Sequence, residues 1–476
     1  MNESTDSGPV PELPRVPTGV PGLDEVTGGG FLRSGVYILQ GTPGAGKTIM
    51  ANQIAHRHAA AGGKVVYVTM LAESHARLLQ HLRSFAFFDP DVLPERVYYV
   101  SAFNALRSGG LKGVVDLLRT EVRAHRAGIL VLDGLVMAAT AAGSEEELKL
   151  FVSDIQAFST LTGSTTLLLA SDDPDRRVSA EQTMVDGILL LREKAYGPRR
   201  ERNLEVVKLR GSDTLRGNHT FRIDGDGIRV YPRLEAARRL GPDGGVTSEC
   251  VSTGVPDLDR MFAIGGFGKG SVNVACGPSG SGKTTLALHF TAATPPGERT
   301  LWFGFYEAPE FLAQTARVQG IDKGGVLAGP QVDYHWFPFG ENVLDELAYR
   351  LLDRVAALRP ARVVIDGVGG FYAAASFPDR GGAFLTTLVN ELRRMRSTTL
   401  ITVEEQQPGT PRTLDTATMS ALADTIVNCR VTHQELVRRF LWIGKCRISR
   451  CDLRVREAVM GPDGLQVPEQ GGAVGA

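Results

Sequence analysis

The sequence predicts an α/β protein of two tandem domains, each built on a mostly parallel β-sheet that is flanked by helices. Three observations lead to this fold class: two phosphate-binding loops, segments that recur at one spacing, and apolar strand-like runs that alternate with helix-like runs. The chain of 476 residues is long enough for several domains. Its 43% hydrophobic and 22% charged residues are typical of a globular protein.

The first phosphate-binding loop is Gly41-Thr42-Pro43-Gly44-Ala45-Gly46-Lys47-Thr48, which matches the pattern G-x-x-x-x-G-K-[ST] at every fixed position. A strand-like run, residues 36–40, precedes it, and a helix-like run, residues 49–55, follows it. In such a loop, glycines let backbone N–H groups turn toward a phosphate chain at a helix N-terminus. Lys47 is therefore predicted to reach the β- and γ-phosphates of ATP, and the Thr48 hydroxyl to ligate Mg²⁺.

The second loop is Gly277-Pro278-Ser279-Gly280-Ser281-Gly282-Lys283-Thr284, which is followed by Thr285. Lys283 and Thr284 take the phosphate and Mg²⁺ roles in this copy. Three other pairs of segments recur in the same order: Thr18-Gly19-Val20-Pro21 with Thr253-Gly254-Val255-Pro256, Leu132-Asp133-Gly134 with Ile365-Asp366-Gly367, and Lys208-Leu209-Arg210 with Lys445-Cys446-Arg447. The common spacing of about 235 residues indicates a duplicated domain.

The repeat sets the domain boundaries. We expect a disordered arm over residues 1–14, a first domain over 15–235, a linker over 236–249, a second domain over 250–465 and a loose tail over 466–476. The arm has no apolar core of the kind that a secretion signal requires, and no apolar run approaches the length of a membrane span. The five cysteines form no C-x-x-C pair, which favours reduced thiols and a cytoplasmic location.

Acidic residues follow the predicted strands. Ligands of a doubly wound sheet bind at the carboxyl ends of its strands, so Glu73 and its counterpart Glu307 are predicted to orient or deprotonate an attacking water. Asp133 and Asp366 end apolar strands and are predicted to anchor Mg²⁺. The alternative for Glu73 is a solvated residue that caps the next helix.

These motifs together resemble the KaiC family, which belongs to the RecA-like P-loop NTPases, and the resemblance covers nearly the whole chain. It implies two stacked ATPase domains per chain, a hexameric double ring with ATP at subunit interfaces, and a KaiB-like protein partner. It also implies that the basic pairs Lys208 with Arg210 and Lys445 with Arg447 contact ATP on a neighbouring chain. A cation supplied in this way stabilises charge that develops on the γ-phosphate. The alternative is that both pairs are surface charges on an edge strand.

The chain departs from the family pattern at two places. Circadian clock members of the family carry adjacent glutamates after the strand that follows each loop helix, whereas this chain has Ala72-Glu73 and Tyr306-Glu307. Their second domain also phosphorylates a neighbouring Ser-Thr pair, whereas here Ala421 follows Ser420. Ser420 and Thr418 are the candidate sites of serine/threonine autokinase activity, and the alternative is a polar segment that flanks a helix.

The residues leave three functions open: a homo-oligomeric ATPase switch, a RecA-like or RadA-like DNA-repair ATPase, and a nucleotide-sensing scaffold with negligible turnover. A DNA-binding function would call for a basic patch or an added DNA-binding module. The formal net charge is −1 and the N-terminal arm has no such module, so we expect neither nucleic acid nor a membrane as a partner. The segment 192–202 is locally basic and is where DNA binding would be tested first.

Overall fold

The protein consists of two compact units that divide between Ala237 and Arg238. The computed structural model describes residues 13–70, 75–171, 180–197, 199–238, 247, 249–405, 416–433 and 436–469. Most of the expected N-terminal arm, most of the linker and the end of the tail lie outside these ranges. Among the described residues, none of the helices combines the length and apolar character that crossing a membrane requires.

The first unit contains a nine-stranded sheet that is covered by helices on both faces, and the first two of its eleven strands pair in a separate two-stranded sheet. Its strands are β1 (Arg15–Val16), β2 (Phe31–Leu32), β3 (Val36–Gly41), β4 (Val65–Thr69), β5 (Val97–Ser101), β6 (Ile129–Asp133), β7 (Thr165–Ser171), β8 (Gly187–Tyr196), β9 (Arg199–Leu209), β10 (Asn218–Asp224) and β11 (Gly227–Tyr231). Its helices are α1 (Leu23–Thr27), α2 (Lys47–Ala60), α3 (His75–Leu82), α4 (Phe103–His125), α5 (Leu135–Ala141), α6 (Glu145–Thr162), α7 (Ala180–Met184) and α8 (Leu234–Ala237). Helix α4 is broken at Gly110, where φ is 60°.

The second unit repeats this architecture. Its strands are β12 (Cys250–Val251), β13 (Phe267–Gly268), β14 (Val272–Gly277), β15 (Thr300–Gly304), β16 (Val332–Trp336), β17 (Arg362–Asp366), β18 (Thr398–Glu404), β19 (Thr425–His433), β20 (Val437–Cys446), β21 (Arg456–Gly461) and β22 (Gly464–Gln466). Its helices are α9 (Pro256–Asp259), α10 (Lys283–Ala292), α11 (Pro309–Val318), α12 (Leu344–Leu358), α13 (Gly369–Ala374), α14 (Gly381–Arg394) and α15 (Thr416–Leu422).

The two large sheets have matching strand orders, β11-β10-β9-β8-β3-β7-β6-β4-β5 and β22-β21-β20-β19-β14-β18-β17-β15-β16. The six strands from β8 to β5, and from β19 to β16, run parallel, and the remaining three in each sheet are antiparallel. This confirms the predicted fold class. The central parallel strands β3, β4, β6 and β7, and their counterparts β14, β15, β17 and β18, are buried on both faces, which explains their continuous apolar sequences.

The recurrent threonine–glycine segment closes a turn ahead of each sheet. In the first unit, Asp24 accepts hydrogen bonds from the backbone N–H and the hydroxyl of Thr18, at 2.8 and 2.7 Å. In the second unit, Asp259 accepts the same pair of bonds from Thr253, at 2.8 and 2.6 Å. Both threonines are fully buried, so the carboxylate satisfies donors that water cannot reach. These hydrogen bonds explain why the threonine and the aspartate recur together in both copies.

A buried histidine on α2 is expected to lower the stability of the first unit in acid. His56 is 2% exposed, and its Nδ1 accepts the backbone N–H of Asp89 at 3.3 Å. Burial lowers the pKa of His56 to about 4, so the unfolded chain takes up a proton near pH 6.5 while the folded chain does not. This contribution to stability is complete above pH 6.5 and is lost as the pH falls toward 4, by about 3 kcal/mol.

We therefore expect His56→Gln to flatten the pH dependence of unfolding between pH 6.5 and 4, because glutamine has no proton to gain. The measurement is urea unfolding of the full chain at several pH values in this range. The exposed His81, replaced in the same way, serves as the matched control and should leave the parent's slope unchanged. An identical slope for His56→Gln and the parent would contradict the assignment.

Candidate functional site

Each phosphate-binding loop joins the central strand of its sheet to the helix behind it, as the sequence predicts. The first loop connects β3 to α2, and the second connects β14 to α10. The last glycine of each loop has a left-handed backbone, with φ of 107° at Gly46 and 98° at Gly282. Only glycine adopts this conformation without strain. The turn leaves the first N–H groups of each helix directed at the loop, where a phosphate can accept them.

The first glycine of each loop is required for a different reason. A Cβ atom on Gly41 would lie 2.3 Å from the carbonyl oxygen of Leu191 on β8, and one on Gly277 would lie 2.0 Å from that of Cys429 on β19. The neighbouring parallel strand passes too close for any side chain.

The loop lysines lie across their own loops. Lys47 Nζ donates to the carbonyl oxygens of Gly41 and Thr42, at 2.6 and 3.0 Å. Lys283 Nζ donates to those of Gly277 and Pro278, at 2.8 and 2.7 Å. Burial lowers the pKa of Lys283, while the carboxylate of Glu404 opposes this effect. The ammonium groups are thus positioned at the mouth of each loop, where phosphate oxygens can replace the carbonyls as partners.

The predicted metal ligands come together in both units. The Thr48 hydroxyl lies 3.2 Å from Oδ2 of Asp133, and the Thr284 hydroxyl lies 3.4 Å from Oδ1 of Asp366. Asp366 is 3% exposed, and burial raises its pKa while hydroxyl donors oppose this effect. A hydroxyl and a carboxylate supply the hard oxygen donors that Mg²⁺ prefers, so these residues fit that ion.

A cavity of about 460 Å³ adjoins the second loop. Lys283, Thr284, Thr285, Glu307 and Asp366 are among the residues that line it. Burial raises the pKa of the half-buried Glu307 carboxyl, and the charge of Asp366 raises it further. The structure therefore gathers the predicted catalytic, phosphate and metal residues of the second copy around one space. The counterpart Glu73 lies outside the described residues.

The sequence motifs do not mark five of the other residues that line this cavity: Gln319, Thr402, Glu404, Arg439 and Met460. Arg439 lies on β20, and its Nε donates to the carbonyl oxygen of Gly280 in the loop, at 2.9 Å. The only sequence signal for Arg439 is its place six residues before Lys445, on a strand that a local motif search does not connect to the loop. Its guanidinium brings a second positive charge to the phosphate-binding face.

The two basic pairs hold corresponding positions in the single chain. Lys208 Nζ donates to the carbonyl of Thr183 at 2.9 Å, near the C-terminus of α7. Lys445 Nζ donates to the carbonyl of Ser420, and Arg447 donates to that of Ala421 at 2.9 Å, near the C-terminus of α15. Arg210 and Arg447 remain exposed. Cations at a helix C-terminus interact favourably with its dipole, so each pair caps a short helix in its own domain.

Ser420 lies on α15, where it is half-buried. Thr418 lies on the same helix, but its side chain is outside what the structure describes. The carbonyl that Ser420 presents to Lys445 places this candidate phosphorylation site beside the second basic pair.

The described residues of the locally basic segment 192–202 lie mainly on the antiparallel strands β8 and β9, and their charges are partly paired. Glu193 lies 3.9 Å from Arg200 and 3.7 Å from Arg202, and Glu201 lies 3.4 Å from Arg199. These carboxylates offset the positive charge that a phosphate backbone would need.

Comparison with known proteins shows which family the chain resembles. The family model "ATPase: KaiC" matches the chain twice, over residues 16–235 and 251–472. The circadian clock protein KaiC2 of Synechocystis is 24% identical over 477 residues, which cover 98% of this chain and 83% of that protein. The circadian clock oscillator protein KaiC of Picosynechococcus is 25% identical over 492 residues, which cover 98% and 93%. The oscillator protein KaiC of Parasynechococcus marenigrum is 25% identical over 479 residues, which cover 96% and 91%.

Proposed function

Because the chain belongs to the KaiC family of ATPases, we propose that it is a Mg²⁺-dependent ATP hydrolase that works as a homo-oligomeric regulatory switch in the cytoplasm. The observation that carries this proposal is the second-unit cavity, which brings Lys283, Thr284, Glu307 and Asp366 to one space. A phosphate cradle, a basic side chain, hard oxygen ligands and a carboxylate are the parts that phosphoryl transfer to water requires.

The chain's own residues divide the chemistry among them. The loop N–H groups and Lys283 bind the β- and γ-phosphates and keep them in place. Glu307 accepts the proton of the attacking water, a role that its raised pKa suits, because a base works best near the ambient pH. Thr284 and Asp366 would hold Mg²⁺, which when bound offsets the negative charge of the phosphate oxygens. Lys47, Thr48, Asp133 and Glu73 take the same roles in the first unit.

We propose a hexameric double ring in which Lys208, Arg210, Lys445 and Arg447 reach the nucleotide of a neighbouring chain. The exposure of Arg210 and Arg447 supports this arrangement, because a cation must be accessible to act across an interface. The state of the nucleotide would then be readable by a protein partner, and the family resemblance points to a KaiB-like one.

The alternatives receive less support. The ion pairs at the β8–β9 hairpin and the net charge of −1 argue against a DNA-repair ATPase. A nucleotide-sensing scaffold with negligible turnover would not need the carboxylate of Glu307 in the cavity. Serine autokinase activity at Ser420 or Thr418 would be a further activity of the second site.

The deciding experiment incubates the purified chain with Mg²⁺ and γ-labelled ATP and follows free phosphate and labelled protein together. We expect phosphate release that falls in both Lys47→Ala and Lys283→Ala, because each removes one site. No release from the parent chain, with ATP still bound, would contradict the hydrolase and leave the scaffold.

The label on the protein tests the kinase separately. Label that disappears in Lys283→Ala but persists in Lys47→Ala, and that maps to Ser420 or Thr418, would establish an autokinase in the second domain. Phosphate release without protein label would exclude autophosphorylation under these conditions and leave the ATPase switch intact.

A further inference from the structure

The two units hold the same aspartate by different hydrogen bonds. In the first unit, the Tyr67 hydroxyl donates to Oδ2 of Asp133 at 3.0 Å. In the second unit, the Thr402 hydroxyl donates to Oδ1 of Asp366 at 2.7 Å. In both cases the carboxylate that receives this bond also faces the hydroxyl of the loop threonine.

The donors come from opposite neighbours of the aspartate strand. Tyr67 lies on β4, in register with Val131, two residues before Asp133 on the same face of the sheet. Thr402 lies on β18, which flanks the strand of Asp366 on its other side. The support for the carboxylate has therefore moved from one adjacent strand to the other between the two copies.

Neither unit has a hydroxyl at the position from which the other unit donates to its aspartate. The position in the first unit that corresponds to Thr402 is Leu169, which is in register with Asp133 and has no polar group to offer. The position in the second unit that corresponds to Tyr67 is Trp302, which is in register with Val364. Its indole nitrogen is buried and has no hydrogen-bond partner among the described residues. Each unit thus has one hydroxyl donor to its aspartate at these two positions, and the two units use different ones.

We propose that Tyr67 and Thr402 are positioning residues, each of which fixes the strand-end carboxylate in the orientation that binds the Mg²⁺ of the nucleotide. This inference rests on the ATP and Mg²⁺ chemistry of the proposed function. A metal-binding side chain that also accepts a hydrogen bond from a neighbouring residue keeps one rotamer. Loss of that hydrogen bond lowers metal affinity about 10- to 100-fold.

Burial makes Tyr67 suitable for this role. The side chain is fully buried, and its ring lies 5.2 Å from that of Tyr99. A phenol keeps its proton at neutral pH, so the Tyr67 hydroxyl is available as the donor to Asp133. The contacts that fix the ring do not depend on the hydroxyl, so phenylalanine can replace the tyrosine with the packing retained.

The test isolates the first site by placing every variant in a Lys283→Ala background. A fluorescent ADP analogue is titrated with and without Mg²⁺, and the readout is the Mg²⁺ concentration that gives half of the metal-dependent gain in affinity. Tyr67→Phe is expected to raise this concentration about 10- to 100-fold, with the metal-free affinity for ADP unchanged. Tyr98→Phe is the matched control in the same background and should change neither value, because the Tyr98 hydroxyl donates to the carbonyl of Glu95 at 2.6 Å and not to a residue of the site.

A rescue variant sharpens the test. In Tyr67→Phe/Leu169→Thr the donor moves to the strand position that the second unit uses, and the Mg²⁺ requirement is expected to return toward that of the Lys283→Ala chain. A Mg²⁺ requirement that Tyr67→Phe leaves unchanged, or a parallel fall in metal-free ADP affinity, would overturn the positioning role. If the Lys283→Ala chain itself binds ADP without any effect of Mg²⁺, the proposed function fails at this site and the inference fails with it.

Discussion

Replacing Glu307 with glutamine is expected to slow ATP hydrolysis at the second site by at least about 100-fold, while ATP binding stays close to that of the parent chain. Glutamine keeps the size and polarity of the side chain but cannot accept a proton from water. Because Glu307 lines the cavity without being part of the phosphate loop, its loss should affect turnover and not affinity. The assay is phosphate release from a chain whose first site is silenced by Lys47→Ala, with ATP binding measured in parallel.

The pH profile gives an independent check on this variant. Burial and Asp366 raise the pKa of Glu307, so the acid limb of hydrolysis should lie above the range of an ordinary glutamate. That limb should be missing from the residual activity of Glu307→Gln. Glu310→Gln, an exposed change in the first turn of α11, is the control and should hydrolyse ATP at the parent's rate. Full activity in Glu307→Gln would remove Glu307 from the mechanism.

Replacing Gly277 with alanine is expected to lower the free energy of unfolding of the second unit by about 3 kcal/mol and to abolish measurable nucleotide binding there. The added Cβ would meet the Cys429 carbonyl oxygen at 2.0 Å and Ser281 Oγ at 2.9 Å. The Cys429 carbonyl belongs to the backbone of the central strand β19, so this clash is removed only if β14 and β19 separate or the loop shifts. A shift of the loop moves the N–H groups that bind phosphate.

Thermal unfolding and ADP titration of the full chain measure the two effects. The matched control is Gly382→Ala on α14, where an added Cβ meets nothing within 4 Å, and it should unfold at or slightly above the parent's temperature. If Gly277→Ala folded and bound ADP as the parent does, the close approach of β19 to the loop would be wrong.

The sequence is sufficient to predict the fold and the frame of the site. Strand, loop and helix signals lie within short segments around Lys47 and Lys283, and the repeat places Asp133 and Asp366 at the same distance from them. Local patterns of this kind predict the structure correctly because neighbouring residues determine where a strand ends and a helix begins. The fold class and the meeting of Thr284 with Asp366 followed directly.

The residues that sequence reasoning missed depend on contacts between distant strands. Nothing near Tyr67 indicates that its hydroxyl meets Asp133, because that contact is set by the register of β4 against β6. The motif requires a glycine at position 277, but it does not show why. The cause is the carbonyl of Cys429, which lies on a strand much later in the chain and leaves no room for a Cβ atom. Arg439 reaches the loop through the sheet order, in which β20 lies beside β19.

The hydrogen bonds from the basic pairs to the C-terminal ends of α7 and α15 would affect the free energy of assembling the proposed ring. The cations of Lys445 and Arg447 donate to carbonyls near the end of α15 in the single chain. In the proposed ring, each of these bonds that is exchanged for a contact with a neighbour's phosphates would be lost to the helix. Each capping contact contributes about 0.3–1 kcal/mol, so the favourable free energy of forming the proposed ring would be smaller by the contribution of each capping contact that is lost.

By thermodynamic linkage, assembly of the ring and stability of the end of α15 affect each other. Nucleotide contacts across the ring would loosen the end of α15, and any change that stiffens that end would weaken the ring. Hydrogen exchange of the backbone at the end of α15 would then report on assembly, although that helix itself need not touch the neighbouring chain.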